Sequence, residues 1–244
     1  MNTDSKIALV TGATRGIGLE TVRQLARAGV HTLLAGRDPE RTSDAVLNLQ
    51  LDGLPVEALA LDVADPAGIA NAAKTVQERH GRLDILVNNA GVVLDAPDKA
   101  PSQQSLDIWR RTFDTNLFGL IETTLAFLPL LRASPAGRIV NVSSILGSLA
   151  LHVEPSSPIY HFKLPAYSVS KSAVNAWTVQ LAYELRDTAI KVNAVHPGYV
   201  KTDMNAGAGE LDVADGARSS VQLALIGEDG PNGSFTHQGQ VLPW

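Results

Sequence analysis

The run Ile7-Ala8-Leu9-Val10-Thr11-Gly12-Ala13-Thr14-Arg15-Gly16-Ile17-Gly18 decides how this chain is read. Four consecutive apolar residues that stop at a glycine-rich turn have the form of a strand covered on both faces. Residues 19–28 then have the composition of a helix. Glycines at the bend let the backbone turn tightly and approach a bound group closely, while the N–H groups of the first helical turn have no partner within the helix. An anion is favoured there, because those donors and the helix dipole present positive partial charge together. A bare three-glycine pattern would be weak evidence, but its place between a first strand and a first helix strengthens it.

Working outward, further apolar runs occur at 31–35, 56–61, 85–87, 138–142 and 190–195, with longer amphipathic segments between them. Asp38-Pro39 and Asp65-Pro66 mark helix starts, with the aspartate as cap and proline at the first helical position. Strands alternating with helices through short right-handed crossovers give an α/β fold, a doubly wound parallel sheet with helices on both faces. At 244 residues the chain fits one such domain, 1–244, without linker or repeat. The proline- and serine-rich stretch at about 149–165 and the Gly/Asp-rich stretch at 202–216 are expected to be irregular loops that cover a substrate.

Composition removes several function classes. There is no cysteine, which excludes disulfides and thiolate metal sites. The six histidines show no i,i+4 pair on a helix, so no metal site is expected. A net charge of −5 with mixed signs argues against nucleic acid as a partner. The opening MNTDSKIALV has no leader-like pattern, and no stretch has the length of a membrane span. A cytoplasmic protein with no membrane partner is expected.

At the end of the second strand stands Leu34-Ala35-Gly36-Arg37, with no carboxylate at the tip. An acidic residue there would bind a ribose 2′-hydroxyl, whereas an arginine suits a 2′-phosphate. Arg37, with Arg15 in the glycine loop, therefore points to NADP(H) over NAD(H). Downstream, Tyr167 and Lys171 stand four apart in a segment, 165–186, of helical composition, which puts both on one face. A lysine ammonium near a phenol favours the phenolate, so the pair is a candidate for moving a proton at neutral pH. Alone, such a pair is commonly packing plus a surface lysine.

Five ordered motifs change that estimate: Thr11-Gly12-x-x-x-Gly16-Ile17-Gly18, Asn88-Asn89-Ala90-Gly91, the pair Ser143-Ser144, Tyr167-x-x-x-Lys171 and Pro197-Gly198. In them the chain resembles the short-chain dehydrogenase/reductase family along essentially its whole length, with the Rossmann fold that this implies. The resemblance implies hydride transfer between nicotinamide and the carbon of a small-molecule carbonyl or alcohol, with Tyr167 delivering or removing the proton on oxygen. Lys171 would lower the tyrosine pKa and hold the nicotinamide ribose. Ser144, ahead of its neighbour Ser143, would hydrogen-bond the substrate oxygen, and Asn116 would hold a water for proton relay. Gly12, Thr14, Arg15, Gly16, Ile17 and Gly18 would cradle the phosphates, and Asp62-Val63 would meet the adenine. Asn89, Ala90 and Gly91 would line the coenzyme, with Pro197, Gly198, Val200 and Thr202 beside the nicotinamide amide.

Ser144 and Tyr167 are 23 residues apart, a wider spacing than is common in the family. The extra residues include Ile159, Tyr160, His161 and Phe162, and this insert, with the tail to Trp244, resembles the carbonyl reductase branch. It could roof a pocket for bulky ketones or simply pack against Leu149 and Leu151. Family oligomers commonly pair the long helices expected here at about 105–131 and 165–186; whether this chain is a monomer or a homo-oligomer stays open. Three rival readings remain: a coenzyme-binding sensor without turnover, a 3-oxoacyl thioester reductase, and an epimerase or dehydratase. The four catalytic-type residues argue against the first, the sparse basic charge after Thr202 against the second, and the short stretch after Gly198 against the third.

Overall fold

The computed structural model describes residues 5–244; residues 1–4, part of the expected 1–244 domain and of the opening segment, lie outside the described residues. Strand β1 (Ile7–Val10) leads into α1 (Gly16–Arg27), then β2 (His31–Gly36), α2 (Pro39–Leu51), β3 (Val56–Ala60), α3 (Pro66–His80) and β4 (Ile85–Asn88). The second half runs α4 (Leu106–Phe113), α5 (Gly119–Arg132), β5 (Arg138–Val142), α6 (Leu149–Val153), α7 (Pro165–Glu184), β6 (Lys191–Val195), α8 (Val213–Ala224), β7 (Phe235–His237) and β8 (Gln240–Val241). They form one sheet in the order β3-β2-β1-β4-β5-β6-β7-β8, parallel throughout except for the β7–β8 pair. The expected doubly wound α/β domain is what the chain builds. Among the described residues no helix is long and apolar enough to cross a membrane.

Alternation along the strands divides the core in two. Leu9, Leu33, Leu59, Leu86, Ile139 and Val192 face one side, where Val76 of α3, Phe127 of α5 and Leu181 of α7 pack on them. Val10, Leu34, Ile85, Val87, Val140 and Val195 face the other, against Val22 and Leu25 of α1, Leu49 of α2 and Leu223 of α8. Because both faces are covered, the strands read as unbroken apolar runs in the sequence. The Asp38 carboxylate accepts from the backbone N–H groups of Glu40 and Arg41, and Asp65 accepts from Ala67, so both expected caps form.

The chain steps outward from β1 to β3, then returns to the other side of β1 with β4. The loops after β1 and β4 therefore diverge and open a crevice at the carboxyl ends of the strands, where ligands bind in such sheets.

Three local expectations are corrected and one is refined. The long helix expected at about 105–131 is helical throughout, with a π-helical turn at Asp114–Phe118 between its α-helical parts α4 and α5. The stretch from 149 is not irregular throughout, since Ser148 caps α6 by accepting from the Leu151 N–H. The 202–216 loop is braced by a 3-10 turn at Asp203–Asn205 and ends in α8, which begins at Val213. Finally, the tail adds strands β7 and β8, and the Ala150 N–H donates to the Trp244 carbonyl at 3.0 Å, tying the tail to α6.

Candidate active site

The glycine turn is held from across the crevice. The Thr11 hydroxyl accepts from the backbone N–H groups of Asn89 and Ala90, both at 3.1 Å. The Asn89 side-chain amide donates to the Thr11 and Gly12 carbonyls at 2.9 and 3.1 Å. This closeness is why residue 12 must be glycine: a Cβ there would lie 2.8 Å from Ala90 Cα, and the backbone has φ +61°. Arg15 occupies the N-cap of α1 without making a cap hydrogen bond from its side chain, and no acidic residue sits in that helix's first turn. The N–H groups of Gly16, Ile17 and Gly18 thus have the character of an anion site.

The two arginines differ. Arg15 pairs with Asp203 at 3.0 Å, joining the glycine loop to the segment after β6. The exposed Arg37 has no ion-pair partner among the described residues. Asp62 accepts from the Ala64 N–H at 3.0 Å beside the buried Val63, in a turn at the carboxyl end of β3. Pro197 and Val200 are buried and Gly198 and Thr202 partly so, continuing from the carboxyl end of β6.

On the other side of the crevice, Ser144 follows β5; its hydroxyl accepts from the Leu146 N–H at 3.2 Å and lies near enough to the Tyr167 phenol to favour the phenolate. Ser143 points elsewhere, donating to Asn175 Oδ1 at 2.6 Å. Alternation at the strand end separates the two serines, which the sequence alone could only rank. The Lys171 Nζ lies 5.7 Å from the centre of the Tyr167 ring and donates to the Val142 carbonyl at 2.7 Å. Burial pushes the phenol above its ordinary pKa, partly offset by the Ser144 hydroxyl, and pushes the lysine down to about 8. For the phenol, desolvation is the larger influence and the Ser144 hydroxyl the smaller.

Asn116 is buried in the π-turn, where its Oδ1 accepts from the Val92 N–H at 2.8 Å. Its Nδ2 donates to the Val92 carbonyl at 2.9 Å and to the Ser170 hydroxyl at 3.0 Å. Ser170 in turn donates to the Tyr167 carbonyl at 2.7 Å, so the asparagine clips the loop after β4 to the helix that carries the tyrosine. Gly91 lies in this gap, where a Cβ would sit 3.4 Å from Asn116 Oδ1 and 3.6 Å from Lys171 Nζ.

Sequence reasoning missed Asp95. This buried carboxylate accepts from the backbone N–H groups of Ala166 and Tyr167 at 2.8 and 3.0 Å, capping α7, whose own cap residue Leu164 makes no such bond. No local signal marks it, because the capping partner lies 71 residues away.

The insert neither lies open nor packs wholly away. His152 contacts the Leu146 carbonyl through Nε2 at 2.9 Å and Lys163 Nζ through Nδ1 at 3.0 Å, Ile159 is buried, and Phe162 and Leu149 stay exposed. One metal-type constellation does form, contrary to the expectation drawn from helical spacing. His31, Glu57 and His80 converge from three separate elements, away from this crevice.

Comparison with known proteins agrees with the geometry. Residues 6–211 match the family model described as short chain dehydrogenase. The chain is 32% identical to the NADPH carbonyl reductase 1 of Rattus norvegicus, covering 100% of both chains. It is 35% identical to the (+)-neomenthol dehydrogenase of Arabidopsis thaliana, covering 97% of each. The crystal structure of NADPH-bound carbonyl reductase from chicken fatty liver superposes with a TM-score of 0.86 at 28% identity, covering 98% of this chain and 99% of that one. By motif, fold and relatives, the chain belongs to the short-chain dehydrogenase family of oxidoreductases.

Proposed function

We propose that the protein is an NADP(H)-dependent oxidoreductase that interconverts a ketone or aldehyde and its alcohol. The observation that carries the reading is the convergence of Ser144, at the end of β5, with Tyr167 and Lys171 on one face of α7, the Lys171 Nζ lying 5.7 Å from the centre of the Tyr167 ring. The surroundings fit the coenzyme: a glycine cradle with no room for a Cβ at residue 12, an α1 first turn without an acidic residue, and an arginine at the β2 tip without an ion-pair partner among the described residues. Relatives named for NADPH support the same choice.

In this reading Gly12 to Gly18 hold the phosphates, and Arg37 meets the 2′-phosphate. Arg15 joins Arg37 by leaving its solvent-exposed pair with Asp203, an exchange of low cost. Asp62 and Val63 take the adenine, and Asn89, Ala90 and Gly91 line the ribose. Pro197, Gly198, Val200 and Thr202 flank the nicotinamide. When bound, the coenzyme supplies the hydride that reaches the carbonyl carbon.

The chain's own residues handle the oxygen. A phenol held above its ordinary pKa is protonated at neutral pH, so Tyr167 is poised to give its proton to the carbonyl oxygen during reduction. Ser144 donates to the same oxygen and fixes its direction. Lys171 holds the nicotinamide ribose from beneath the tyrosine. Both ends of the Asn116 side-chain amide are already engaged, so in this reading Asn116 would hold a relay water through its main-chain carbonyl. The domain acts as one unit over 1–244, with covers at about 149–165 and 202–216.

A free small molecule is favoured over a carrier-bound thioester. The cations beside the second cover stand among carboxylates, Lys201 against Asp212 at 3.0 Å and Arg218 against Asp215 at 2.8 Å, so the local charge there does not favour an acidic carrier. The test is consumption of NADPH, and separately NADH, by purified protein across aromatic ketones, diketones, aldehydes and acetoacetyl thioesters. Carbonyl-dependent NADPH oxidation that Tyr167→Phe abolishes, with NADPH binding retained, is the expected result. Tight NADPH binding with no turnover of any carbonyl would instead make the protein a coenzyme sensor.

A further inference from the structure

At the end of the sheet opposite the crevice, three side chains meet that the oxidoreductase chemistry does not use. His31 opens β2, Glu57 is the second residue of β3, and His80 closes α3. Their meeting follows from periodicity. His31 lies two residues before Leu33, and Glu57 is the register partner of Leu33 in the neighbouring strand, so both share its face of the sheet. Helix α3 covers that face through Val76, and His80 lies four residues further along the same side of the helix. Five strand positions, about 16 Å, separate Glu57 from Asp62 at the coenzyme end.

The three donor groups lie within 4.8 Å of one another. Glu57 Oε1 is 3.2 Å from His31 Nε2, and Glu57 Oε2 is 3.4 Å from His80 Nε2. Tetrahedral ligands at metal bonds of about 2.0–2.1 Å sit roughly 3.4 Å apart, and each imidazole nitrogen stands at about that distance from one of the two oxygens of the Glu57 carboxylate. The histidine rings are 5.4 Å apart and inclined at 48°, not stacked. The His80 side chain is only 5% exposed. His31 Nε2, His80 Nε2 and Glu57 Oε2 are all buried, and none has a hydrogen-bond partner among the described residues. Buried polar atoms are normally satisfied, and two imidazole nitrogens beside one carboxylate, without hydrogen-bond partners among the described residues, are a donor set that a shared cation would satisfy.

We propose that His31, Glu57 and His80 form a binding site for one divalent transition ion, zinc by chemical class. Two neutral imidazoles and a carboxylate suit that ion, with a solvent molecule as fourth ligand. The side chains of His31 and Glu57, 21% and 25% exposed, leave a path from solvent. The ion would pin the start of β2 and the edge strand β3 to the end of α3, and the site would be structural, remote from hydride transfer. Arg79 is the one competing cation at the carboxylate, 3.7 Å from Glu57 Oε2 on a side chain that is 56% exposed. It can swing into solvent when the ion enters.

The test uses tag-free, chelator-treated full-length protein titrated with zinc sulfate in a calorimeter, with cobalt(II) absorption as a second probe of coordination. The proposal expects one equivalent bound, a cobalt spectrum of tetrahedral type, and a rise in melting temperature with zinc. His80→Gln and Glu57→Gln should each weaken binding by roughly tenfold or more, since loss of even an outer partner costs about 10- to 100-fold. Arg79→Ala should tighten it and leave NADPH-dependent turnover unchanged. Should zinc fail to bind, or bind equally well to His80→Gln and Arg79→Ala, the three side chains meet without holding an ion and the proposal is overturned.

Discussion

Asp95→Ala tests the argument that the tyrosine is positioned from outside its own helix. The substitution removes two charge-assisted hydrogen bonds, at 2.8 and 3.0 Å, from the first turn of α7 and leaves the Ala166 and Tyr167 N–H groups without an acceptor. Loss of an N-cap costs about 0.5–2 kcal/mol, and a hydrogen bond to a charged group contributes about 1.5–3 kcal/mol. With two such bonds at a buried cap, about 3 kcal/mol of stability should go, which in a domain of this size lowers the melting temperature by roughly 6–12 °C. Asp95→Asn keeps one acceptor oxygen and should lose about half as much. Turnover should fall further than stability does. The same cap sets where Tyr167 stands relative to Ser144, and a displacement of about 1 Å can cost roughly 100-fold in rate. Coenzyme affinity should change little, because the glycine loop is held independently through Thr11 and Asn89. Thermal unfolding, steady-state kinetics and NADPH titration of the three proteins decide the matter. An Asp95→Ala protein that melts within a degree of the parent and keeps its kcat would refute the reasoning.

The two serines should separate by phenotype. Ser144→Ala is expected to lower kcat with little loss of stability, whereas Ser143→Ala frees Asn175 Oδ1 and should cost about 1–2 kcal/mol in thermal unfolding. Arg37→Asp should weaken NADPH binding by one or more decades while NADH binding holds, as measured by fluorescence titration; equal losses would remove the 2′-phosphate assignment. Stability should also respond to acid through His196, whose pKa is pushed down to about 3 by burial, with the neighbouring His237 adding to the shift. The folded imidazole stays neutral while the unfolded one takes a proton below about 6.5, so stability is lost as pH falls from there toward 3. The slope contributed is at most about 1.4 kcal/mol per pH unit, and His196→Gln should flatten the melting profile between about pH 6.5 and 5.

Much of the fold was legible because its signals are local. An apolar run of four to six residues, an Asp-Pro cap or a glycine turn is recognised from residues adjacent in the chain, so β1 to β6 and the starts of α2 and α3 fall within a residue or so of expectation. Strands β7 and β8 escaped because Phe-Thr-His and Gln-Val carry no apolar run; Phe235 is a strand residue because its backbone meets Ala194 across the sheet. The π-helical turn escaped because residues 105–131 read as one continuous helix, and a change from α to π pitch inside it, where Asn116 bonds to Val92 and Ser170, leaves no mark on the apolar pattern. The site divides the same way. Tyr167 and Lys171 were legible as a pair because one helical turn joins them.

What the sequence by itself determined was the order of strands β1 to β6 with helices between them, the phosphate-type turn at residues 12–18 and the tyrosine–lysine face of one helix, since each depends on contacts within a few residues. Tertiary structure alone decided which serine faces the phenol, that Asp95 caps the tyrosine's helix, that Arg15 is paired while Arg37, among the described residues, is not, and that His31, Glu57 and His80 meet. Each of these joins residues far apart in the chain, and a spacing along the backbone says nothing about which distant side chains the folded sheet brings within a few ångströms.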